Sequence, residues 1–169
     1  MASKGPQSAA TFLLFVNLIM YVAVAAIAGW AINYSIDETP SSLSGLTAPA
    51  RIFPIYFPIG NLATGFFVIF SLFAGVVGVM TSLRGLHEVM QARPASILSA
   101  SAFSIITWAL TLLAMGLACK EISIGWRPAS LRALETLIII LSGTQLFCAA
   151  AIHATVPSTL TGSTLIGRV

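Results

Sequence analysis

Leu62–Ser82 reads LATGFFVIFSLFAGVVGVMTS, and no residue in it carries a charge. As an α-helix it is about 31 Å long, close to the hydrocarbon thickness of a bilayer. Ser71, Gly75, Gly78 and Ser82 follow one another at steps of four, three and four residues. That spacing puts them on one helical face. In lipid, helices associate through small-residue faces and interhelical hydrogen bonds, because lipid removes the usual hydrophobic drive between them. The stretch therefore predicts a membrane span that packs by one face against other helices.

The rest of the chain follows the same chemistry. Of 169 residues, 57% are hydrophobic and 8% charged, and the mean hydropathy is +0.97. A soluble domain carries roughly 25% charged residues. So few charges build no water-facing surface, and the solvent must be the lipid bilayer. Three further apolar runs, at about 9–32, 97–118 and 136–152, are also long enough to cross it. The expected fold is an all-α integral membrane protein with four transmembrane helices in a compact bundle, forming a single domain over 1–169. The first run exceeds the 7–15 residues typical of a signal-peptide core, and it reads as a retained span. No ionisable residue lies well inside any run, which argues against a proton relay of buried carboxylates.

Four spans put both tails on one side. Lys4, Arg84, Arg93 and Arg168 lie on that side; Arg51, Lys120, Arg127 and Arg132 lie on the other. The positive-inside rule is nearly balanced, and the amino terminus with His87 and His153 tips the tails towards the cytosol. The formal net charge of +3 is spread singly, so nucleic acid is not an expected partner. Arg132 and Glu135 are three apart at the expected start of the fourth helix, which suits a same-face ion pair. A carboxylate ligand would find Arg51, Arg127 or Arg132 on this side, since a guanidinium matches a carboxylate bidentately. The alternative for each is contact with lipid headgroups.

Each of the other spans also carries a small or weakly polar stripe. The third has Ala100, Ser104, Thr107, Thr111, Ala114 and Ala118; the fourth has Ser142, Gln145 and Ala149; the first has Asn17 and Tyr21 one turn apart. All four stripes can face one centre. Two readings follow: a packing seam, or a narrow polar path lined by Asn17, Tyr21, Thr107, Thr111 and Gln145. A four-helix bundle fills its own core, so anything larger than water needs a groove or a homo-oligomer.

Motifs for chemistry are absent. There is no GxSxG elbow and no carboxylate pair beside a histidine, so the chain is not expected to be an enzyme. Cys119 and Cys148 form no CxxC, and both read as inert thiols, with Cys148 a candidate for acylation near a helix end. His87 and His153 share a membrane face but sit at the interface, so neither haem, metal nor another cofactor is expected. The run RIFPIYFPIGN, 51–61, reads as an anchor. Pro54 and Pro58 exclude helix and favour extended backbone, with Phe53 and Tyr56 laid along the headgroups beside Phe57. Asn61 is placed to cap a helix from Leu62 by accepting the N–H near Thr64. Arg51 is the basic residue of this connection and has no structural task there; with Phe53, Tyr56 and Phe57 it would offer a carboxylate ligand a cation and an aromatic surround.

The segments FPIGNLATGFFVIFSLFAGVVGV, WALTLLAMGLACKEI and LRALETLIIILSGTQL, with NLIMYVAVAAIAGWAIN in the first span, resemble the plant AWPM-like family. These are the abscisic-acid-induced plasma-membrane proteins first named from wheat. The likeness runs roughly from Ala9 to His153. It implies a four-span plasma-membrane protein tied to abscisic acid, dehydration, cold and seed maturation. It also implies, from at least one member, carriage of abscisic acid into cells. The other function consistent with the residues is a scaffold that steadies the membrane or a partner membrane protein under stress.

Overall fold

The structure is a computed structural model that describes residues 4–42, 45, 47, 52–54, 57–91 and 94–166. Among these, four helices account for the fold: α1 Lys4–Ser42, α2 Thr64–Gln91, α3 Pro94–Ile124 and α4 Ala129–Ile166. Each contains a stretch long and apolar enough to cross a membrane: Gln7–Thr39, Thr64–Gln91, Leu98–Ile124 and Ala129–Ala154. The helices outrun the apolar runs in the sequence, because inside lipid the backbone must keep satisfying its own N–H and C=O groups until it reaches water.

α1 packs against α2 and α4, and α3 packs against the same two, so α1 and α3 face each other across the diagonal. Gln7 Nε2 donates to the Val89 carbonyl at 2.9 Å, which joins the start of α1 to the end of α2. At the opposite end Asn61 Nδ2 donates to the Glu121 carbonyl at 3.3 Å, joining the approach to α2 with the end of α3.

Large apolar side chains face outward, while polar ones are gathered inside. Phe12, Phe73, Met80 and Phe147 are 67%, 59%, 65% and 66% exposed, whereas Asn17, Tyr21, Ser71, Thr107, Thr111 and Gln145 are buried. In water this arrangement would be unfavourable. In lipid it is the expected one, since hydrocarbon solvates the large side chains and the polar ones need each other.

On α2 the face of Ser71, Gly75, Gly78 and Ser82 is buried. A Cβ at Gly75 would stand 2.9 Å from the Ala25 backbone nitrogen, and one at Gly78 would overlap the Tyr21 ring. The glycines are what allow α1 to approach this closely. The stripe of α3 from Ala100 to Ala118 is likewise buried. α4 departs from the expected pattern. Its core face is Leu131, Leu134, Ile138, Leu141 and Ile152, with Gln145, Cys148 and Ala149 among them. Ser142 is only half-buried and bonds its own helix at Ile139 O, 2.7 Å away. The physical reason is volume: large aliphatic side chains on one helix fill the space left by small residues on the others.

The approach to α2 is turned rather than extended. Residues 52–54 form a turn, with a cis Phe53–Pro54 peptide. Phe57 is buried and Phe53 exposed, their ring centroids 6.1 Å apart. Asn61 does not cap α2 as expected, because the helix starts two residues later than Leu62 and the Asn61 side chain instead closes a turn ahead of it. Its Oδ1 accepts from Ala63 N at 2.9 Å, while Thr64 N bonds to Asn61 O at 3.0 Å, and the helix starts at Thr64.

Candidate functional site

Two polar tiers occupy the bundle. In the central tier, Asn17 Nδ2 donates to Gln145 Oε1 at 2.8 Å, and Gln145 Nε2 donates to Ser104 Oγ at 3.1 Å. These bonds tie α1, α4 and α3 together. Tyr21 reaches across the diagonal to Thr111 Oγ1 at 2.8 Å. Thr111 spends its hydroxyl proton on Thr107 O at 2.8 Å, so Tyr21 is the donor. Thr107 Oγ1 in turn lies 2.9 Å from Thr81 Oγ1. A cavity of about 10 Å³ next to this tier is lined in part by Thr81, Ser82, Ser104 and Gln145. That is room for about one water molecule, in the polar surroundings that hold one. Asn17, Tyr21, Thr107, Thr111 and Gln145 are therefore brought together, and they bond mainly to each other.

The second tier lies at the end opposite the tails, just beyond the apolar runs expected at 97–118 and 136–152 and inside the longer helices α3 and α4. Glu121 and Glu135 are both buried, at 0% and 3% exposure. Helices α3 and α4 run far enough to carry them inside. Thr64 Oγ1 donates to Glu121 Oε1 at 2.8 Å, and the Asn61 backbone N–H donates to Thr64 Oγ1 at 2.7 Å. Arg127 Nε lies 2.7 Å from Glu135 Oε2, and Arg127 also donates to Gly125 O at 3.1 Å. Gly125, at φ +127°, turns the chain between α3 and α4 in a conformation that glycine adopts without penalty. Gly60, at φ +102°, lies against Thr64, where a Cβ would overlap the hydroxyl that Glu121 uses. The remaining oxygens, Glu121 Oε2 and Glu135 Oε1, have no hydrogen-bond partner.

The residues expected to meet a carboxylate ligand are not gathered into one place. Arg127 is engaged by Glu135, which displaces the expected Arg132–Glu135 pair; Arg132 is exposed. The rotation of α4 puts Glu135 inward with Leu131 and Leu134, leaving Arg132 outside. Arg51 and Tyr56 lie outside the described residues. An open apolar recess of about 390 Å³, lined by Ala26, Ile27, Trp30 and Ser130, lies between α1 and the start of α4. The Trp30 and Tyr34 rings stack at 5.6 Å beside it.

At the tail end Arg84 pairs with the buried Glu88 at 2.7 Å and lies 4.8 Å over the Phe103 ring. His87 and His153 are exposed and bond within their own helices, to Gln91 and to Ala149 O. Among the described residues no three His, Cys, Asp or Glu side chains come together as metal ligands. Cys119 is exposed, but Cys148 is buried in the middle of α4, which excludes the expected acylation there in the folded protein.

Residues 15–155 match the AWPM-19-like family. The chain is a member of that family. Membrane protein PM19L of Oryza sativa subsp. japonica is 42% identical over 142 residues, covering 83% of this chain and 75% of that protein. No solved structure matches. The AWPM-19-like segment takes in both polar tiers. It makes this a multi-pass membrane protein whose interior polar chemistry falls within the family region.

Proposed function

We propose that the protein facilitates entry of abscisic acid into cells at the plasma membrane, with both termini cytosolic and the Glu121–Glu135–Arg127 end facing out. The observation that carries this reading is the uneven placement of charge. The central tier and the tail end each keep an unbonded buried oxygen, Asn17 Oδ1 and Glu88 Oε2, but among the described residues the outer end gathers two buried carboxylates, each with one unbonded oxygen, against one guanidinium. Ionisable groups buried within spanning helices are costly and mark function by default.

The recess at Trp30 and Ser130 suits the apolar ring of a small weak acid, and its volume falls within the usual ~300–1,000 Å³ of ligand sites. Arg132, and Arg51 in the connection before α2, supply cations for the carboxylate. The one-water cavity in the core favours a route along the bundle surface or between copies in a homo-oligomer. No catalysis is involved in this reading. The experiment is uptake of labelled hormone into proteoliposomes holding only this protein. Uptake above that of empty liposomes is expected, and equality at every imposed pH gradient would overturn the reading.

The core, held across helices mainly by hydrogen bonds between its own side chains, favours a second reading, a scaffold that steadies the bilayer or a partner membrane protein during dehydration. Replacing Arg51 and Arg132 by Gln, which leaves the Arg127–Glu135 pair intact, separates the two. A carrier loses uptake, whereas a scaffold keeps its partner and its stress function.

A further inference from the structure

We propose that Glu121 is a proton-binding site that exchanges with the aqueous phase at the end of the bundle opposite the tails. The inference goes beyond hormone uptake and stands or falls separately from it.

Three groups define the local charge: Glu121, Glu135 and Arg127. Fully ionised, they leave one negative charge in excess inside a buried cluster. Arg127 is spent on Glu135. Glu121 receives one donor, the Thr64 hydroxyl on Oε1, and its Oε2 has none. The neighbouring elements supply no second cation among the described residues. On its own helix Lys120 is exposed, and on α4 Arg132 is exposed. On α1 Asp37 and Glu38 are exposed, and from the approach to α2 the Asn61 amide is directed at the Glu121 backbone carbonyl. One proton on Oε2 makes the cluster neutral and converts an orphaned acceptor into a donor. It takes no space and needs no ligand shell.

A metal ion fits less well. The unbonded side-chain oxygens are one on each carboxylate, whereas calcium takes about 6–8 oxygen ligands, and a divalent charge would overcompensate the single excess. The proton reaches Glu121 at the end of its span, so no relay through the bundle is needed. Ala114 and Ala118, the preceding core-facing residues of α3, separate Glu121 from Thr111 of the central tier.

The test is infrared spectroscopy of the whole protein in lipid nanodiscs, titrated from acid to alkaline buffer. Wild type is expected to show the C=O stretch of a protonated carboxylic acid, sensitive to deuterium exchange and lost as the pH rises. Glu121→Gln should abolish that band while Glu88→Gln keeps it. Glutamine can still accept from Thr64 and mimics the neutral acid, and an unchanged amide band and melting profile would verify its fold. A titrating band that survives in Glu121→Gln would overturn the proposal, as would a wild-type spectrum with no such band. Loss of the band on adding calcium or sodium at constant pH would also overturn it, in favour of a cation. Failure of hormone uptake in proteoliposomes leaves the infrared result untouched, so the two proposals fail by different measurements.

Discussion

Gly78→Ala tests the packing of α1 on α2 most sharply. A Cβ at this position falls inside the van der Waals envelope of the Tyr21 ring, against carbons near the base of the side chain rather than its tip. Tyr21 is fully buried and donates to Thr111 across the bundle. The ring therefore has nowhere to swing without breaking that bond, and the two helices must separate. Overpacking of this kind costs up to about 3 kcal/mol. Losing the Tyr21–Thr111 bond adds about 0.6–1.7 kcal/mol, and the better helix propensity of alanine returns about 1 kcal/mol. The net expectation is a loss of about 3 kcal/mol. Gly116→Ala is the control, since a Cβ there meets nothing within 4 Å; that change should be neutral or stabilising by up to about 1 kcal/mol. Reversible unfolding in mixed micelles, followed by tryptophan fluorescence, measures both. If Gly78→Ala lies within about 0.5 kcal/mol of Gly116→Ala, the close approach at Tyr21 is wrong. A double-mutant cycle with Tyr21→Ala should show strong coupling, because the ring is what the new methyl meets.

The remaining expectations concern charge, interior polarity and thiols. Arg127→Gln strips a buried carboxylate of its cation and should destabilise by about 3 kcal/mol, near the lower end for broken buried pairs. Arg132→Gln, at an exposed position, should stay within about 0.5 kcal/mol, and thermal melts in detergent compare the two. Asn17→Leu removes the bond to Gln145 and should cost about 0.6–1.7 kcal/mol in the same micelle assay. A membrane-permeant maleimide should label Cys119 in the folded protein and reach Cys148 only after unfolding, as mass spectrometry of the peptides would record.

The four-helix architecture was legible because its signals are additive. Long uncharged runs demand lipid, and the steps of three and four in Ser71–Gly75–Gly78–Ser82 place the α1–α2 seam. Asn17 and Tyr21 were legible for the same reason, one turn apart on a helix with few other polar groups. The acidic tier was missed because hydropathy falls at Cys119-Lys120, which suggested that the third span ended at Ala118. The face periodicity carried the opposite signal: Ala114, Ala118 and Glu121 continue the same steps of four and three. On α4 Gln145 and Ala149 of the expected stripe are buried and Ser142 is half-buried, while the bulk that Leu131, Leu134, Ile138 and Leu141 supply to the same core was not foreseen. The pairing of Glu135 with Arg127 rather than Arg132 depends on the turn at Gly125, which helical spacing does not encode. Of the residues offered for ligand capture, Arg51 and Tyr56 fall outside the described residues, and Arg127 is engaged by Glu135.

Uptake above background does not by itself separate a carrier from a leak, since a weak acid also crosses lipid when protonated. Exchange does. Proteoliposomes preloaded with unlabelled abscisic acid are compared with unloaded ones at equal internal and external pH, and the initial entry of labelled hormone is measured. A carrier predicts faster entry into the preloaded vesicles, slowed by excess unlabelled hormone outside. Equal initial rates in preloaded, unloaded and protein-free vesicles would contradict the account.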